Sequence, residues 1–247
     1  MSNHKNMDVT EILNPNFLNL YNQQISFLYS ELVTLNSNIY ILKKIQNFPF
    51  EIFCNSGDGI FFSIVKRNLY ENSIIIISRI VTDTGSDVLT IPKFRNEITQ
   101  NILPKYKDSF TSDLKAQKFD ENTKNLLNKL HSLRNSRLAH LIKAKVVTGT
   151  FETFDLGELE DLVEKFNSLL QSLSFNTERI YAPLHYTEHN SYPTDIEKIL
   201  LTLAQQSQIL NLPEQSPEMW ERYKARYPKN NVIQINRYRN MLGLKEM

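Results

Sequence analysis

The sequence holds a single cysteine, Cys54, in 247 residues. One thiol cannot close a disulfide within the chain, and such usage fits a reducing compartment. Glycine and proline are also scarce, six and nine respectively. Sheet proteins use both at their turns, so the scarcity favours helices. The densest apolar run, SIIIISRIV, is interrupted by Arg79 and is too short to span a bilayer. The opening MSNHKNMDVTEIL lacks the apolar stretch of a signal peptide. Together these absences predict a soluble cytoplasmic protein. Net charge is only +1, so no global field draws the chain to nucleic acid. No glycine-rich phosphate loop is present, which argues against nucleotide hydrolysis of the P-loop kind.

What is present reads as helix after helix. Hydrophobic residues make up 41% and charged residues 22%, a composition that folds. Leu20, Ile25, Leu28, Leu32, Leu35 and Ile39 recur near a 3.6-residue period within a predicted helix from Phe17 to Ile45. Asn14 and Pro15 supply its N-cap and first position, and Phe48-Pro49 ends it. A second helix is predicted from Gly59 to about Thr84. A shorter one follows Pro92, ends at Pro104 and gives way to a polar connection reaching Phe119. Asp120 is read as the cap of a helix from about Glu121 to Val146. Another covers Glu158 to about Tyr181, with Leu159, Leu162, Val163, Phe166, Leu169, Leu170 and Leu173 inward. Beyond the Pro183–Pro193 loop come helices at 195–210 and 217–227, then a basic tail. The fold class is therefore all-α, an antiparallel helical bundle with a small C-terminal helical extension. The expected division is a flexible N-terminus (1–14), a helical domain (15–185) and an extension (186–247).

The most informative stretch is LRNSRLAHLIKAKV, Leu133 to Val146. On a helical wheel Leu126, Leu130, Leu133, Leu138 and Leu141 form one apolar stripe. Arg134 and Arg137 fall inside it and His140 at its edge. A buried guanidinium needs an acid, a ligand or a wet cleft. The second helix offers an acid: Arg79 and Asp83, four residues apart, share a side with Phe61, Val65 and Ile76. Two inward-charged helices are consistent either with a shared polar pocket or with a structural ion-pair network.

Arg134-Asn135, four residues, then His140 matches the R-N-x4-H pattern. With LRNSRLAHLIK around it and SRIVTDT upstream, the chain resembles the HEPN superfamily in its AbiU-type abortive-infection branch, over about residues 15 to 185. The resemblance implies a metal-independent endoribonuclease without cofactors, a toxin or phage-defence effector that works as a homodimer on RNA. By motif position Arg134 would stabilise the transition state, His140 would be general acid or base, and Asn135 would shape the pocket or bond the histidine. The chemistry suits these residue types. Attack of a ribose 2′-hydroxyl on phosphate needs proton transfer, which imidazole performs near neutrality, and the charged phosphorane is met by guanidinium. Arg134 and His140 stand about 9 Å apart along a helix and roughly 120° around it. Two pairs across a dyad would grip a phosphate better than one. Arg137, Asp83 and Arg79 are supporting candidates from the wheel. The runner-up is a catalytically silent HEPN module that binds RNA, a nucleotide or a protein partner. A further partner would be an antitoxin or another defence-system protein. Some HEPN toxins carry, two residues after the histidine, a tyrosine that a nucleotidyltransferase modifies; this chain has Ile142, which puts that route in doubt.

Other candidates compete less well. His185, Glu188 and His189 spell H-x-x-E-H, but Pro183 and Pro193 leave little room for the helix that zinc chemistry needs, so no metal is expected. Residues 221–240 carry six Lys/Arg and one Glu, interleaved with tyrosines. Phosphate contact and base stacking there, with Arg222 and Arg226, is one reading; a solvated helix face is the other. Lys143 and Lys145 are the remaining RNA-binding candidates.

Overall fold

The structure is a computed structural model, and it describes residues 8–54, 59–82, 85, 87–135, 154–175, 194–226 and 229–245. All regular structure among them is helical, as the sequence implies. The elements are α1 (Val9–Ile12), α2 (Leu18–Gln46), α3 (Phe50–Phe53), α4 (Gly59–Val81), α5 (Ile91–Asn101), α6 (Pro104–Ala116), α7 (Phe119–Leu133), α8 (Leu156–Leu173), α9 (Asp195–Gln206), α10 (Leu212–Gln215), α11 (Pro217–Arg226) and α12 (Lys229–Met241). No helix among the described residues is long and apolar enough to cross a membrane.

The chain forms two compact units, and they do not follow linear order. The first takes Met1–Tyr40 and Leu69–Thr187; the second takes Ile41–Asn68 and Glu188–Met247. The expected C-terminal extension therefore recruits the end of α2, α3 and the first turns of α4, which one cut in sequence cannot express.

In the first unit Tyr21, Ile25, Leu28, Leu32, Leu35 and Ile39 form the buried stripe of α2, while Leu20 is exposed. Asn14 caps the entry, its side chain accepting from the Asn16 amide, and Pro15 opens a short 3-10 turn before α2. Tyr21 stacks on Phe94 of α5 and donates its hydroxyl to the Leu173 carbonyl at 3.0 Å. On α8 the seven inward positions expected from sequence are all buried. Asp155 and Glu158 form a reciprocal capping box at its start.

Several expectations are corrected. The segment expected as a flexible N-terminus holds regular structure from residue 8 onward: Asp8 caps α1, Ile12 and Leu13 are fully buried, and Leu13 bridges Ile102. Two leucine-like side chains in the core outweigh the entropy of a terminus. Pro104 begins a helix rather than ending order, because proline fits the first helical position; Tyr106 and Phe110, one turn apart, bury that helix's inner face. Helix α7 starts at Phe119 after Lys118 in the left-handed region, so Asp120 is a first-turn residue and not the cap; its carboxylate accepts from Arg95 at 3.0 Å. Helix α8 stops at Leu173, short of Tyr181, where Phe175 adopts positive φ and packs against Tyr21 and Phe110.

In the second unit Phe48 and Phe53 enclose the ring of Tyr238, with centroids 5.4 and 4.9 Å away. The segment read as a basic tail is instead α12, with Ile235 and Arg239 fully buried. Arg239 donates to the carbonyls of Leu210 and Lys245 and to both carboxylate oxygens of Glu214. An arginine so saturated with acceptors can occupy a core position that a pattern of apolar residues does not reveal.

Candidate functional site

The site is built on the last turns of α7. Leu130 and Leu133 are buried, and Leu126 and Leu127 are packed against the core, so one face of the helix is committed inward. Lys129 anchors the opposite flank, bonding both carboxylate oxygens of Glu158 at 2.5 and 2.6 Å and lying 5.7 Å from the Phe154 ring centroid. The Phe154 carbonyl in turn accepts from the Tyr70 hydroxyl of α4. These contacts hold α7 against the start of α8 and against α4 within one unit.

Arg134 and Asn135 follow directly. Arg134 has helical backbone angles, and its N–H bonds to the carbonyls of Leu130 and His131. At Arg134 and Asn135 the helix widens from α to π geometry, a local change that recurs at functional sites. Both side chains are half-buried. Arg134 thus sits at the border of the apolar stripe rather than deep within it. The Asn135 amide nitrogen lies 2.8 Å from Nε2 of His131, one turn earlier on the exposed side. Sequence reasoning set His131 aside as an exposed flank residue; its spacing of four from Asn135 was the signal available.

Arg137, His140, Lys143 and Lys145 lie outside the described residues, as do Asp83 and the His185, Glu188 and His189 group.

Arg79 departs from the expected placement. It is exposed and pairs with Glu31 of α2 rather than pointing into a shared pocket. Phe61, assigned to the same side, is 64% exposed, whereas Ile76 is buried. Phe61 and Arg79 stand five whole turns apart and so share one exposed line along α4, while Phe62 and Ile80, at the same spacing, lie on its buried line, the first in the second unit and the other in the first. Of the RNA-binding candidates on α11, Arg222 and Arg226 are both exposed. Among the described residues no group of three His, Cys, Asp or Glu side chains is placed to hold a metal.

The described residues are all helical, with Arg134 and Asn135 following the last turn of α7. The chain belongs to the HEPN AbiU2 family: the family model, described as AbiU2, matches residues 22–194. That span begins in α2, contains α3 to α8 with the whole motif, and ends at the cap of α9. No curated protein and no solved structure matches the chain.

Proposed function

We propose that the protein is a metal-independent endoribonuclease of HEPN type, acting as a toxin or abortive-infection effector in the cytoplasm. The observation that carries this reading is that the AbiU2 match runs through the R-N-x4-H segment, whose first two residues stand half-buried at the end of α7. In this reading the 2′-hydroxyl attacks the adjacent phosphorus, its proton passes to a base, and the 5′-oxygen leaves with a proton from an acid. His140 performs a proton transfer, Arg134 meets the charge on the phosphorane, and Asn135 lines the pocket. Arg137, Asp83 and Arg79 remain supporting candidates, Arg79 being paired with Glu31. Lys143, Lys145, Arg222 and Arg226 would hold flanking phosphates. A homodimer would bring two motif helices to one cleft, and an antitoxin or defence partner would restrain it.

The test is incubation of the pure protein with mixed RNAs in EDTA. Fragments ending in 2′,3′-cyclic phosphate support the reading. RNA that is bound but left intact supports the silent binding module instead.

A further inference from the structure

His131 precedes the R-N-x4-H motif, yet it holds one of the motif's side chains. Its Nε2 lies 2.8 Å from the amide nitrogen of Asn135. In this arrangement the carboxamide nitrogen donates and Nε2 accepts. The NH2 group then faces the imidazole and the carbonyl oxygen faces away. Left to itself, an asparagine amide turns about its last torsion with little preference between the two faces. At this position the difference is chemical. Asn135 directly follows Arg134, and a carbonyl oxygen presents an acceptor where an NH2 group would present donors.

His131 is exposed, so the bond to Asn135 adds little to folding, because each group exchanges water for the other. The helix does not need the contact, since α7 is secured by Leu130, Leu133 and the Lys129–Glu158 pair. We infer that His131 is a positioning residue of the site, setting the side-chain orientation of Asn135 beside Arg134. This inference rests on the ribonuclease reading, in which Asn135 lines the pocket that handles phosphate and hydroxyl.

The test is steady-state cleavage of an RNA oligonucleotide by the full chain, with melting recorded for every variant. His131→Leu removes the acceptor and lowers kcat about fivefold, the equivalent of one ordinary hydrogen bond, with KM and Tm unchanged. His131→Gln restores most of kcat, because its carboxamide oxygen reaches Asn135 at the same spacing of four. In an Asn135→Ala background, His131→Leu has no further effect, since the residue through which it acts is gone. The inference is overturned if His131→Leu cleaves like the unaltered protein, if glutamine does no better than leucine, or if the loss persists in the Asn135→Ala background. If the unaltered protein leaves RNA uncut, the ribonuclease reading fails and this inference falls with it. Cleavage indifferent to residue 131 defeats this inference alone.

Discussion

Arg239, with none of its side chain exposed, is bound by the carboxylate of Glu214, whose own side chain is half in solvent. Nη1 reaches Oε2 at 3.0 Å, and the Glu214 carboxyl is held below its ordinary value chiefly by this hydrogen bond. The guanidinium also closes on the carbonyls of Leu210 and Lys245, so one side chain ties α12 and the residues after it to the segment around α10. Arg239→Ala leaves two carbonyls without their donor and a void in the second unit. A loss of about 3 kcal/mol or more is expected, read by denaturant unfolding. A variant as stable as the parent would show that the pairing is dispensable.

Removing His140 should abolish cleavage and toxicity with the fold intact. Arg134→Ala should do the same with a modest loss of stability, because Arg134 is half-buried against the stripe of α7. Induced growth arrest and thermal melting, compared for both variants, check this. Arrest that survives in a folded His140→Ala protein points to a silent module.

A homodimer with Arg134 and His140 near the two-fold axis is expected, since one pair on a single helix grips a phosphate poorly. Sedimentation at micromolar concentration reads this directly. A strict monomer that still cleaves RNA would mean that the site is complete within one chain.

Glu197 predicts a defined acid sensitivity. Burial pushes its carboxyl up, but the hydrogen bonds from Lys44 at 2.6 Å and from Thr194 outweigh it and bring the group down from 4.5 to about 2. A carboxyl depressed in the folded state stabilises fully above its unfolded value and loses that contribution as pH falls through the folded one. Stability should therefore fall between about pH 4.5 and pH 2, and Glu197→Gln should flatten that part of the profile. Chemical unfolding at stepped pH measures it. An unchanged slope in the variant would assign the acid sensitivity to other carboxylates.

Much of the fold was legible because it rests on local rules. The stripe Ile25, Leu28, Leu32, Leu35 and Ile39, the Asn14-Pro15 start and the seven inward residues of α8 follow from helical period and capping chemistry. Helix α6 was missed because proline was read as a stop, although it equally marks a start. Helix α12 was missed because its buried side includes Arg239, and a charge is not read as core unless its acceptors are known.

The sequence by itself determined the all-α fold class and the residues of the R-N-x4-H pattern, since hydrophobic periodicity carries the first and residue spacing the second. Tertiary structure alone decided that α2 and α4 each serve two units and that Arg79 answers Glu31. Both depend on which helices lie side by side over long separations in sequence.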